Sequence, residues 1–432
     1  MIAVAPERMV FESRPLADGV MLHLCPTRKY KTITLKAFVE SHLGPETTST
    51  ALLPYVLRRG CRRAPTQRRI VLFLESLYGA TLGVDVLKLG ERQLPQFRVD
   101  VIADAYARGR RGPLPQAVEF LARLLFHPVT EKGAFRGDVV ETEKENLRNY
   151  IESLVNDPLE YASERHLATM CEGEPFARYE YGKVEEIDAV DPAGLLAHHR
   201  QLLERNPIHL FAMGDFDADR LETIAANAFR GKRRGHADLP PTIVRIPARE
   251  PRRIVETLPD LEQGKLVIGY RTDTTLVDDG MAALVYVNGL FGGFSHSRLF
   301  RRLREEEGLA YYAETALDKS KGLLFLRAGI PLDGLARARE VIERELESLR
   351  RGEITQDELS MTHHSLRARI RAMGDSPSRL IAAHLEGILH GRPIPPEERE
   401  ASIEGMTVER VAEAARRVRL DTEFFLTSEA GT

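Results

Sequence analysis

Thirteen histidines, three cysteines and one glycine-rich stretch are the places where this sequence could do chemistry. The histidines form neither H-E-x-x-H nor H-x-x-E-H, the spacings that set two imidazoles one helical turn apart on a metal ion. The pairs His198-His199 and His363-His364 lie in polar helical stretches, where neighbours point about 100° apart and cannot converge on one ion, so both pairs read as solvated helix surface. Cys25, Cys61 and Cys171 are widely spaced and form no C-x-x-C. They read as small buried hydrophobes in a reducing compartment rather than as thiolate ligands. Gly293-Phe-Ser-His-Ser297 is one residue away from a G-x-S-x-G nucleophile elbow, but the last glycine is Ser297 and no strand leads into it. Gly289-Leu-Phe-Gly-Gly-Phe294 does not fit G-x-G-x-x-G, and no G-x-x-x-x-G-K-[ST] occurs. Arg58, Arg59, Arg62, Arg63, Arg68 and Arg69 make a dense basic run, yet without the interleaved aromatics on which bases stack. That run reads as a solvated or interface face, not a nucleic-acid site.

The elements that would position such residues follow from composition and pattern. With 43% hydrophobic and 29% charged residues over 432 positions, the chain can bury large cores, which excludes disorder and a small disulfide scaffold. Sixty-one basic and 64 acidic side chains leave a net charge of −3, so no global field favours nucleic acid or an anionic membrane. No 18-residue apolar run and no leader pattern is present, and a soluble, cytoplasmic protein is expected. The strongest organisational signal is an internal echo at about 230 residues, too long for a solenoid repeat. Ala51–Val56, Leu77–Leu82 and Gln96–Ile102 correspond in order to Ala282–Val287, Glu307–Tyr312 and Leu324–Ile330. Each half opens with strand alternation, as in Thr32–Val39 and Lys265–Tyr270, and then turns helical over 114–126, 139–155, 335–350 and 355–373. Between the halves, turn-formers dominate. The expected layout is a domain over residues 1–229, a linker over 230–256 and a second domain over 257–432.

The segment Asn288–Tyr311 reads as a glycine-rich turn containing Gly289, Gly292 and Gly293, an amphipathic helix, a C-cap at Gly308 and the start of a strand. Its order, glycines, then Ser297-Arg-Leu-Phe300, then Leu303-Arg-Glu-Glu-Glu-Gly-Leu-Ala-Tyr311, resembles the C-terminal signature of the insulinase and pitrilysin-like zinc peptidases. Tyr181-Gly-Lys-Val-Glu-Glu-Ile187, Asn206–Asp217 and Asn156-Asp-Pro158 extend that resemblance along most of the chain. It implies an α+β fold of two homologous domains, each a mainly antiparallel sheet with helices on one face, joined as a clam shell around a peptide-sized chamber. The family's H-x-x-E-H falls on Ala51, Leu52, Leu53, Pro54 and Tyr55, so both histidine ligands and the general base are missing. Pro54 also reads as lying near a helix start, with Thr50 as N-cap. Glu143 or Glu145 falls near the family's third ligand; otherwise Glu141, Glu143 and Glu145 are a charged helix face.

The family's substrate-contacting arginine and tyrosine correspond to Arg304 and Tyr311. Outside the resemblance, Arg304 would pair with neighbouring glutamates and Tyr311 would pack in a strand. The resemblance therefore implies a non-catalytic subunit holding no metal, with zinc in a partner paralogue that carries H-x-x-E-H. Arg304 and Tyr311 would then act on the partner's peptide substrate. A catalytically dead scaffold or peptide-binding protein, in the form of a homodimer, is the competing reading, and an independent peptidase with unfamiliar residues is a third.

Overall fold

Alternating β-branched and aromatic residues make Thr32–Val39 a strand whose odd positions, Ile33, Leu35, Ala37 and Val39, enter the core. The structure, a computed structural model, describes residues 9–108, 112–229 and 237–428. The basic start of the expected linker, 230–236, lies outside the described residues. The chain divides into two units, Met1–Glu152 with Arg178–Pro240, and Ser153–Ala177 with Pro241–Thr432.

The strands of the first unit are β1 (Glu12–Ala17), β2 (Val20–Pro26), β3 (Thr32–Val39), β4 (Ser41–His42), β5 (Thr81–Leu89), β6 (Arg92–Ile102), a short hairpin of β7 (Thr130–Glu131) and β8 (Ala134–Phe135), and β9 (Ile208–Gly214). The main sheet runs β1-β2-β9-β3-β6, with β4 and β5 both paired to β6. Helices in this part of the chain are α1 (Thr47–Leu57), α2 (Gln67–Ser76), α3 (Pro113–Phe126), α4 (Gly137–Glu152), α5 (Pro158–Met170), α6 (Val184–Ile187), α7 (Pro192–Arg205) and α8 (Ala218–Ala228). The apolar stripes of α1, α3 and α7 bury Leu53, Leu121 and Leu195 against Leu22, Leu35 and Val99 of the sheet.

The second unit has β10 (Arg252–Thr257), β11 (Gly264–Arg271), β12 (Tyr312–Asp318), β13 (Leu323–Ile330) and β14 (Arg419–Thr427) in the order β10-β14-β11-β13-β12. Its further helices are α9 (Met281–Asn288), α10 (Leu335–Arg351), α11 (Gln356–Met373), α12 (Pro377–Leu389), α13 (Pro396–Ile403) and α14 (Val408–Arg416). A capping box starts α11, where Thr355 accepts from the Glu358 N–H and Glu358 reaches back to the Thr355 N–H.

The two sheets share one topology. In the first, β9 pairs parallel to β2 and antiparallel to β3. In the second, β14 pairs parallel to β10 and antiparallel to β11. The echo in the sequence maps onto matching elements: Ala51–Val56 lies in α1 and Ala282–Val287 in α9, while Gln96–Ile102 lies in β6 and Leu324–Ile330 in β13. Among the described residues, no helix is long and apolar enough to cross a membrane.

Four expectations are corrected. The end of the expected linker, Arg252–Thr257, is strand β10, held by register with β14 rather than by its own weak apolar pattern. Residues Ser153–Ala177 group with the second unit, because Ala162, Met170 and Phe176 pack against Val267, Phe424 and Leu323. Pro54 lies inside α1, which begins at Thr47, so one carbonyl of the preceding turn loses its donor. His199 is buried rather than solvated, at i+4 from Leu195 and i−3 from Leu202 on the apolar face of α7.

Several buried charged and polar side chains are paired. In the second unit Arg271 donates to Glu174 at 2.7 Å and to Asp421 at 2.7 Å, and Lys321 lies 3.0 Å from the second oxygen of Glu174. All four side chains are essentially withdrawn from solvent, and they tie the segment after α5 to β11, β13 and β14. His199 bonds the Leu125 carbonyl at 2.8 Å and His166 bonds the Thr422 carbonyl at 3.1 Å. Burial pushes each of these imidazoles down to about 4.

Two predictions follow from these buried groups. Because both histidines bind protons less readily when folded than when unfolded, stability is complete above their ordinary pKa near 6.5 and is lost as pH falls towards 4. Urea titrations between pH 7 and pH 5 should show a falling midpoint, and His199→Asn, which keeps a donor without a titrating ring, should flatten that slope. Glu174→Gln should cost about 3–5 kcal/mol in urea unfolding, since it leaves Lys321 and half of Arg271 buried without counter-charge; a cost below about 1 kcal/mol would contradict the network's role.

Candidate functional site

In the first unit the degenerate motif lies on α1, packed beside α4. Ala51 and Pro54 are buried, and Tyr55 is half-buried with the Arg58 guanidinium 5.0 Å from its ring centre. Burial pushes the Tyr55 phenol up, opposed by a hydrogen bond with Tyr181. Tyr181 in turn donates to Asp85 at 2.7 Å, and its ring lies 4.7 Å from that of Tyr150 and 5.2 Å from that of Tyr179. The side chains on this stretch of α1 are thus a methyl group, a pyrrolidine ring and a phenol, the last hydrogen-bonded to a second phenol.

On α4, Glu143 faces inward and is almost fully buried, whereas Glu141 and Glu145 are exposed, with Glu141 accepting from Lys144 at 3.2 Å. Of the three carboxylates, only Glu143 is withdrawn from solvent. It is already engaged: Arg59 donates to one oxygen and Asn146 donates to the other at 3.1 Å. Arg59 also donates to Gln67 at 2.7 Å. A zinc site needs three protein ligands and an open position. One carboxylate, satisfied by a guanidinium, does not fit that ion, and among the described residues no group of three or more His, Cys, Asp or Glu could hold one.

The first turn of α1 is fixed from outside it. Thr48 accepts from the Lys183 N–H at 3.1 Å, and a side chain on Gly182, at φ +85°, would meet the Thr48 hydroxyl at 2.1 Å. The Tyr-Gly of the sequence motif therefore serves close approach to α1.

In the second unit, α9 continues through Gly289–Gly293 as a wide helical turn rather than a loop. These glycines are contact positions: a Cβ on Gly289 would meet Thr362 at 2.8 Å, on Gly292 Thr315 at 2.7 Å, and on Gly293 Asn288 at 2.7 Å. The next wide turn, Phe300–Glu306, carries Arg304 and ends at Gly308, whose φ of +62° closes it. Tyr311 immediately precedes β12 and is 73% exposed. The Arg304 guanidinium lies 4.8 Å from the Phe300 ring centre and 5.8 Å from that of Tyr311. Arg304 is exposed and has no carboxylate partner among the described residues. The structure therefore brings Arg304 and Tyr311 together, and neither pairs with a glutamate nor packs inside the sheet.

Two participants went unread in the sequence. Arg59 balances Glu143, the inward carboxylate of α4. Phe300, at i−4 from Arg304, props the guanidinium from below. Within Ser297-Arg-Leu-Phe300, Arg298 is structural: it is buried and donates to both oxygens of Glu358, at 2.9 and 3.1 Å, and to Ser348 at 2.9 Å.

Comparison with known proteins places this geometry. Residues 189–366 match the family model described as Peptidase M16 inactive domain. A relative from Bacillus subtilis (strain 168), named "Probable inactive metalloprotease YmfF", is 30% identical over 433 residues, spanning 98% of this chain and 99% of that one. The crystal structure of a conserved protein from Enterococcus faecalis V583 superposes with a TM-score of 0.90 at 29% identity, over 97% of this chain and 99% of the other. A peptidase M16 inactive domain from Pseudomonas fluorescens shares the fold, with a TM-score of 0.78 at 17% identity over 97% and 98% of the two chains. The chain belongs to the insulinase-like M16 metallopeptidase family as a member that lacks the zinc motif.

Proposed function

We propose that this chain is the non-catalytic subunit of a heterodimeric, cytoplasmic zinc peptidase, and that it presents Arg304 and Tyr311 to a peptide held at the partner's metal site. The observation that supports this reading is the exposed Arg304–Tyr311 pair, stacked on Phe300 and free of carboxylates. An arginine without an internal partner keeps its planar fork of donors available for a peptide carbonyl or carboxylate. A tyrosine hydroxyl beside it can donate to oxygen as negative charge develops there. Holding the guanidinium over two rings fixes its plane before substrate arrives, which lowers the ordering cost of binding. The metal belongs to the partner, a paralogue with an intact H-x-x-E-H.

On this reading the isolated protein, purified without a tag, should hold no stoichiometric zinc by metal analysis and cleave no peptide. One zinc per chain would refute the assignment of positions 51, 54 and 55. Mixed with its zinc-bearing partner, it should raise peptide turnover far above that of the partner alone. Tyr311→Phe and Arg304→Ala should each lower that turnover by about 10²–10³-fold while leaving association unchanged. Arg304→Lys should restore little, because a point charge lacks the fork geometry. Unimpaired turnover in the double variant would remove the co-catalytic role and leave a scaffold.

A further inference from the structure

A row of polar side chains crosses the first sheet on the face opposite α1, α3 and α7. It starts at the exposed edge with Ser13 of β1, whose hydroxyl lies 2.7 Å from Nδ1 of His23 on β2. His23 Nε2 lies 3.0 Å from Nδ1 of His209 on β9, and His209 Nε2 lies 2.9 Å from Glu40, just past β3. The other Glu40 oxygen accepts from Arg92 of β6 at 2.9 Å. The sheet register makes the row possible. Ser13 pairs with His23, Met21 with His209, and Phe38 with His209, so alternate positions on four strands share this face. His23 and His209 are 2% and 5% exposed, whereas Ser13 is exposed.

The far end of the row sets the near end. Glu40 is ionised: burial pushes its carboxyl up, but hydrogen bonds from His209 and Arg92 outweigh that and hold it below the usual range. An ionised Glu40 accepts only, so His209 donates to it from Nε2, and the neutral ring then has its lone pair at Nδ1. His23 then donates from Nε2, and its Nδ1 lone pair meets the Ser13 hydroxyl. A serine with its proton directed at an imidazole, oriented here through a second imidazole that a carboxylate holds, extends by one ring the arrangement that activates an oxygen nucleophile. A cavity of about 530 Å³ reaches the relay at His209 and is lined otherwise by the apolar Pro15, Ala17, Met21, Pro207 and Ile208, with Asp18 and Gly19 of the β1–β2 turn. Pro15 lies two residues from Ser13 on the same face of β1.

We propose that Ser13 is a nucleophilic serine, with His23 as its general base and His209 and Glu40 as positioning residues, which accepts the acyl group of an ester carrying a small apolar chain. Ser13 Oγ forms the bond to the acyl carbon as its proton passes to His23 Nδ1. The ester C–O bond breaks, and the alcohol leaves with that proton. Water then attacks the acyl carbon, releases the carboxylic acid and restores the hydroxyl. None of this depends on Arg304, Tyr311 or a zinc-bearing partner.

The test uses the full chain and an alkyl fluorophosphonate, with which Ser13 would form an O–P bond while fluoride leaves. Near neutral pH, peptide mass spectrometry should locate the label on Ser13, and Ser13→Ala should abolish it. His23→Gln should slow labelling by at least about 100-fold. Glu40→Gln should slow it while leaving the final labelled fraction unchanged, whereas a purely architectural Glu40 would lower the fraction and leave the rate alone. Labelling of Ser13 no faster in the native protein than in the urea-unfolded chain would overturn the proposal by itself, whatever the variants do. So would a parental rate in Glu40→Gln.

Discussion

Each unit closes its sheet with its last strand, and places that strand in the middle rather than at an edge. β9 must slide between β2 and β3, and β14 between β10 and β11, so neither sheet has a continuous core until the end of its own segment is in place. This constraint accounts for the burial pattern of the closing strands: all seven residues of β9 and the last seven of β14 are buried. Strands buried on both faces read as continuous apolar runs, and β9, Ile-His-Leu-Phe-Ala-Met-Gly, is such a run interrupted once. The interruption, His209, is tolerated because the neighbouring strands supply partners on both sides of the ring. In β14 the corresponding polar positions, Asp421 and Thr422, meet Arg271 and His166. Both closing strands thus bring in the polar groups that complete a buried network.

A carboxylate turned into a core needs a counter-charge. Here α4 turns Glu143 inward, and Arg59, from the turn after α1, supplies it. A buried ion pair of this kind adds little net stability, but the isolated charge would be costly, so the two residues are coupled in what substitutions they tolerate. Tyr55 and Tyr181 fill with phenols the space beside α1.

Much of the architecture was legible because it rests on period and punctuation. Thr32–Val39 alternates as a strand and is one, the 335–350 and 355–373 stripes are α10 and α11 nearly to the residue, and the echo corresponds to shared topology. What escaped depended on partners distant in sequence. Arg252–Thr257 has only two apolar residues and becomes a strand through pairing with β14, more than 150 positions away. Ser153–Ala177 looks like a continuation of the first half and is claimed by Leu323 and Phe424 of the second. Pro54 suggested a helix start, yet α1 accommodates it seven residues in. At the candidate site, Arg304 and Tyr311 were identified by their place in a motif, whereas the roles of Arg59 and Phe300 depend on contacts that spacing suggests only afterwards.

The excursion of Ser153–Ala177 makes the second unit discontinuous in the gene. A fragment cut at the apparent boundary, from 257 onward, would carry Arg271 and Lys321 into a core from which Glu174 is missing, and would leave β11 and β14 without α5 across them. The seam for dissecting, permuting or recombining this protein therefore runs not only through the turn-rich stretch between its halves, after Pro240, but also on either side of Ser153–Ala177. Any exchange of halves between relatives has to carry two stretches of coding sequence together, so the duplicated units, though alike in topology, are no longer interchangeable modules.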